Sequence, residues 1–148
     1  MKKLAWLLLL SVFQVLICSC DINSFSAGSY AYAENVYSGC KGDTIINRLK
    51  RLKASGVYDN ASSYPDGPNE PPSPYYSFYF FSRENNCILL TAVPTGGFNK
   101  ESALLLVSVK GPNPTSKWQD FNHGLDKKQQ ERITDWFNKK IKPAISCD

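Results

Sequence analysis

The chain holds one histidine, His123, and one methionine, Met1. A lone imidazole excludes paired-histidine zinc sites and the H-E-x-x-H helix of metalloproteases. Five cysteines are present, yet no two stand at C-x-x-C spacing, which excludes a thioredoxin-type redox pair and a zinc knuckle. Neither a glycine-rich phosphate loop nor a serine elbow occurs. The acids Glu34, Asp43, Glu70, Glu84 and Glu101 are scattered at spacings that assemble no paired-carboxylate site. The longest apolar run, Leu4 to Ile17, is fourteen residues broken by Ser11 and Gln14. A spanning helix needs roughly 20 such residues. These absences lead us to expect a protein that is not an enzyme and uses no cofactor or metal. His123, between Asn122 and Gly124, reads as a loop residue.

What is present begins with an address. Lys2 and Lys3 give a positive start, the apolar run follows, and small or polar residues come after it. That is the pattern of an export signal. Its end, Ile17-Cys18-Ser19-Cys20, resembles the lipobox of bacterial lipoproteins, an aliphatic residue and then a small residue ahead of a cysteine. Cys20 fits because Ser19 is the small residue before it, whereas Cys18 would need Ile17 in that place. The resemblance implies that residues 1–19 are a signal peptide and that the mature chain begins at Cys20 with two or three acyl chains. One chain anchors only marginally, at about 0.8 kcal/mol per buried methylene, so two or three anchor stably. Asp21, directly after the lipidated cysteine, resembles the retention signal of enterobacterial lipoproteins and implies an inner-membrane location facing the periplasm. The alternative is an ordinary secretory leader cut near Ser19 or Ala27, leaving Cys20 for a disulfide.

Removal of the leader leaves 129 residues, enough for one domain. Of the seventeen basic residues two lie in the leader, so fifteen face thirteen acidic ones, a balance of +2. This near-neutrality argues against nucleic acid. The densest basic cluster, Arg48, Lys50, Arg51 and Lys53, is either the solvated side of an amphipathic helix or a surface for anionic lipid or an acidic partner. In an oxidising compartment Cys40, Cys87 and Cys147 are disulfide candidates. Cys40 precedes one predicted helix and Cys147 follows another, so antiparallel helices can bring these two together. Closing so long a loop contributes about 4 to 5 kcal/mol in the chain-entropy model. Cys87 is then a buried thiol in a strand.

Residues 20–29 comprise Cys20 and a small, polar tether whose nine residues after the cysteine reach roughly 15 to 18 Å by random-coil scaling. Residues 30–148 form the domain. Tyr30 to Gly39 stays open between strand and helix. From Asp43, which can cap it, Ile45, Ile46, Leu49 and Leu52 recur at helical spacing, and Gly56 can end the helix. Residues 59–74 carry five prolines and read as neither helix nor central strand, a loop that is either functional or disordered. Tyr75 to Phe81 and Cys87 to Val93 read as two strands around a tight turn, and Ala103 to Val109 as a third. Gly111 to Leu125 is irregular. Asp126 and Gln129 form a capping-box pattern ahead of a helix with Ile133, Trp136, Phe137 and Ile141 on one face, ending before Pro143. The expected fold is α+β, a three-stranded antiparallel meander with an N-terminal and a C-terminal helix packed on the sheet. The strands are apolar on both faces, so the face away from the helices needs loops, the N-terminal segment or a partner to cover it.

The stretch CILLTAVPTGG, followed by ALLLVSVKG and Trp118, resembles the strand and loop region of type IV pilin heads, over about forty residues. The pilin processing site is absent, and no functional residue is carried over. Together these readings lead us to expect a membrane-anchored lipoprotein with a non-catalytic domain that binds another protein, as an inhibitor or immunity factor. The alternative is a structural component of an envelope assembly, pilus-like or part of a secretion apparatus.

Overall fold

In the computed structural model, residues 30–56, 61, 63–70, 73–96 and 101–147 are described, and the fold lies within the unit Tyr32–Asp148. Its strongest element is the hairpin of β3 (Tyr75–Ser82) and β4 (Cys87–Pro94), paired without interruption from Tyr75 opposite Pro94 to Ser82 opposite Cys87. Aromatic and branched residues favour such a pleated, half-buried surface. Asn86 turns the chain with a φ of 49°, a left-handed conformation that asparagine tolerates. The hydroxyl of Ser82 accepts from both Asn85 nitrogens and closes the turn.

β5 (Glu101–Lys110) pairs antiparallel with β4, and the register shifts between Leu90 and Thr91 so that Val107 is extra. A bulge of this kind changes which face later residues point to. It explains how Leu106 and Val109, an odd number of residues apart, both join the core under the helices. Along the other edge of β5 run β1 (Glu34–Lys41), opposite Glu101 to Leu106, and then β6 (Gln119–Asp120), opposite Ser108 and Val109. β2 (Gly67–Pro68) pairs with β3 at the far edge, where proline's missing N–H costs nothing.

The sheet therefore has six strands in the order β1-β5-β4-β3-β2, with β6 beside β5, and not the three expected. The α+β class and the central meander stand, with four helices among the described residues in place of two. β1 was ambiguous because its buried positions are Val36, Ser38 and Cys40, only one of them strongly apolar. β2 and β6 are two residues each, too short for a periodicity to register.

One face of the sheet carries Phe78, Phe80, Leu89, Val93, Leu104 and Leu106, all fully buried. They pack against Ile45, Ile46 and Leu49 of α1 (Gly42–Ala54) and, with Phe121 of the short α2 (Phe121–Gly124), against Ile133, Trp136 and Phe137 of α3 (Lys127–Lys140). Each such side chain contributes about 1.5 to 3 kcal/mol on burial. α1 starts at Gly42, one residue before Asp43, and Lys41 at its cap position makes no side-chain capping hydrogen bond, so Asp43 acts in the first turn and not as the cap. Glycine is required there, because a Cβ on Gly42 would lie 2.6 Å from the carbonyl oxygen of Pro94. Gly56, with φ +70°, follows the last turn. α3 has the full capping box, with the Asp126 side chain accepting from Gln129 N and Gln129 Oε1 from Asp126 N. It stops at Ile141, and α4 (Lys142–Ile145) restarts with Pro143 in its first turn.

Candidate functional site: an aromatic face bounded by two loops

Alternation along β3 sends Tyr79 to the face opposite Phe78 and Phe80, and Lys110 leaves β5 on that same side. Over this face lie two segments rich in turn residues. In the first, Tyr64 N donates to Ala61 O at 2.8 Å, and Asn69 is fixed twice, by its N to Tyr75 O and by Ser77 Oγ to its Oδ1. In the second, Asn113 Oδ1 accepts from Thr115 N and Oγ1, and Ser116 N donates to Asn113 O. The described residues of both loops thus have defined local geometry.

Each loop delivers one aromatic ring to the sheet. Tyr64 stacks on Tyr79 with centroids 5.2 Å apart, and Trp118 meets Tyr64 edge-on at 5.4 Å and Tyr79 at 6.1 Å. Lys110 ties the loops together, donating to Tyr64 OH at 2.8 Å and to Pro114 O at 3.2 Å, with its ammonium 5.5 Å from the Tyr64 ring centre. Edge-on and offset aromatic pairs contribute about 0.5 to 1.5 kcal/mol beyond burial, which holds the rings in place. Trp118 nonetheless remains 37% exposed, and only Tyr32 and Tyr37 join it as exposed large hydrophobics among the described residues. A rigid, partly exposed tryptophan beside tyrosines and a cation has the composition of a protein-interface anchor.

The edge of the sheet below this face is closed by an ion pair. Beyond β2, Tyr79 N donates to Asp66 Oδ1 at 2.9 Å, and Lys53 Nζ reaches from α1 to donate to Tyr79 O at 2.6 Å. Lys53 and Asp66 meet at 2.7 Å, with side chains only 9% and 25% exposed. The pair takes the place of a neighbouring strand for that residue.

The predicted site residues are distributed as follows. Cys20 and Asp21 lie outside the described residues, and no described helix is long and apolar enough to cross a membrane. Cys40 and Cys147 are joined as a disulfide, with Cα atoms 5.2 Å apart. The link runs from the end of β1 to the tail after α4, not directly between two helices. Cys147 N donates to Ser38 O at 2.8 Å, Arg48 donates to Ser146 O, and Gly39 takes the positive φ that this approach needs. Cys87 is a buried free thiol whose pKa is raised to about 11 by desolvation. His123 stands in α2, not in a loop, exposed and stacked on Tyr32 at 4.8 Å. Glu34 accepts from Asn122, and Glu84 lies 3.8 Å from Lys140. Among the described residues no three His, Cys, Asp or Glu side chains gather where they could hold a metal ion.

The basic cluster is mostly committed. Arg48 holds the C-terminal tail, Lys50 lies 4.7 Å from the Tyr76 ring centre, and Lys53 serves the sheet edge. Sequence reasoning did not find the Tyr64, Tyr79 and Trp118 cluster. The signal was two large aromatics stranded in loops of proline, glycine, serine and asparagine, which need an apolar surface to lie on, and the far face of an aromatic sheet supplies one. No protein-family model, curated protein or solved structure matches the chain.

Proposed function

We propose that this protein is a lipid-anchored lipoprotein of the bacterial cell envelope whose domain binds another protein through the Tyr64, Tyr79 and Trp118 face, as an inhibitor or immunity factor. The observation that carries the binding reading is Trp118, more than a third exposed yet buttressed by two tyrosines, one of them held by Lys110. Preorganised aromatic side chains lose little entropy on binding, which is why they dominate interface energetics. Support for the anchor is the leader ending in Ser19-Cys20, and Asp21 favours inner-membrane retention facing the periplasm. An alternative role, as a building block of a pilus-like assembly or secretion apparatus, is disfavoured where it would use strand addition. Tyr32 O is taken by Asn122 N, Ser38 O by Cys147 N, and the β3 edge by Asp66 and Lys53.

A photo-crosslinking side chain at Ser116, beside Trp118, tests the binding face in intact cells. One discrete adduct that is lost with Trp118→Ala, in a variant that still unfolds like the parent, is the expected result. A diffuse ladder, or an adduct indifferent to Trp118, sinks the reading. The anchor is tested separately by palmitate labelling: label must vanish in Cys20→Ala.

A further inference from the structure

The chain's net charge of +4 hides a segregation. Residues 42–54 and 126–145, which make the helical layer, hold ten basic and four acidic side chains. The remaining described residues hold four basic and six acidic. Both helices lie on one face of the sheet, and the aromatic cluster lies on the other. Outward from the layer stand Arg51 of α1 and Lys128, Arg132 and Lys139 of α3, all exposed, with Lys50 over the Tyr76 ring and Lys127 4.0 Å from Glu131 beside them. On α3, Lys128, Arg132 and Lys139 fall within about 40° of one another around the axis, a single ridge interrupted only by Asp135.

We infer that this helical face docks on an anionic lipid bilayer and turns the Trp118 face away from it. The occupant follows from what the face lacks. A protein interface needs a desolvated anchor, and none of the exposed large hydrophobics, Tyr32, Tyr37 and Trp118, lies on α1 or α3. A bilayer of anionic headgroups needs none, because it attracts lysine and arginine through its surface potential alone, over a Debye length of about 8 Å. The spread of cations along two helices suits a continuous charged plane better than a point ligand. The inference rests on the membrane setting proposed above and not on the identity of the protein partner. Orientation is what the layer adds: an acyl anchor fixes distance from the bilayer, and the ridge fixes which side faces it.

The test uses the protein isolated from its own cells, mixed with vesicles of phosphatidylcholine alone or with phosphatidylglycerol added, and a water-soluble lysine-acylating reagent read by mass spectrometry. With phosphatidylglycerol, labelling of Lys128 and Lys139 should fall about fivefold or more, the size of one interfacial charge contact. Lys117, exposed on the loop next to Trp118, should be unchanged. High salt should restore the label, and Arg132→Gln should weaken the protection of both neighbours. Equal protection on phosphatidylcholine, or protection of Lys117 in place of Lys128, would overturn the inference. So would protection by polyglutamate but not by phosphatidylglycerol, which would assign an acidic protein. If the native chain carries no acyl group, the anchor fails alone, and the same lysines must still be protected wherever the chain co-sediments with anionic vesicles.

Discussion

Replacing Asp66 with alanine probes the joint between helix, loop and sheet edge. The substitution removes the acceptor of Tyr79 N and the counter-charge of Lys53, whose side chain is 9% exposed and cannot swing freely into water. An orphaned backbone N–H costs about 1 to 3 kcal/mol, and a buried pair broken on one side about 3 to 5. Asp66 is itself a quarter exposed, and Lys53 keeps Tyr79 O at 2.6 Å, so the lower part of that range applies. We expect a loss of about 3 kcal/mol, near 12 °C in Tm for a domain of this size. Asp66→Asn keeps a neutral acceptor for Tyr79 N and should cost about half as much. Lys53→Met should cost about 2 kcal/mol, because Tyr79 O loses its donor and the Phe80 ring its cation, while the Asp66 carboxylate, a quarter exposed, keeps the Tyr79 N bond. Urea unfolding followed by tryptophan fluorescence, with the disulfide intact, measures all three. The reasoning is refuted if Asp66→Ala stays within about 0.5 kcal/mol of the parent, or if Lys53→Met proves the costlier change.

Two further outcomes follow from the cysteines. Cys40→Ser with Cys147→Ser removes a link across 107 residues, and the loop-entropy relation gives a loss of about 4 to 5 kcal/mol, to be read as a lower urea midpoint with a larger m, since the unlinked denatured chain exposes more surface. Cys87 in the folded chain should resist alkylation at pH 8 and react promptly once urea unfolds it, as followed on its own peptide. With its folded pKa raised from 9.0 to about 11, the unfolded state releases this proton first, so its contribution to stability is complete below pH 9 and declines as pH rises toward 11. A Cys87→Ala variant should lose that alkaline decline.

The parts of the fold legible in the sequence were those that repeat a simple period. Phe78 and Phe80 against Tyr79, Ile45 and Leu49, and Ile133 with Phe137 follow strand or helix spacing because burial alone selects them. The Asp126 and Gln129 box was legible because its two hydrogen bonds are local. The missing strands were not, for a different reason each. β1 buries Ser38 and Cys40, whose places are set by a hydrogen bond and a disulfide to the far end of the chain. β2 and β6 exist only because a neighbouring strand lends them partners. The aromatic face was hidden likewise, since Tyr64 and Trp118 are 54 residues apart and Lys110, which bridges the two loops, looks like any strand-end cation.

These nonlocal ties constrain function as well as fold. An edge strand with free backbone groups recruits further strands, and each edge segment discussed above is stopped by a side chain, a short helix or the disulfide-held tail. Growth of a sheet from copy to copy would have to displace the Lys53 and Asp66 pair or the Cys147 tail first. Among the described residues, the surfaces left for partners are then the two faces: one ridged with lysine and arginine over the helices, the other presenting Trp118 between its loops. A protein held at a bilayer by its first residue would need such a division, because an aromatic site facing the lipid would be lost to any partner in the periplasm. For that reason anionic vesicles alone should protect Lys128 and leave Trp118 accessible, and a single surface shielding both would break the link between anchoring and recognition on which the proposed role depends.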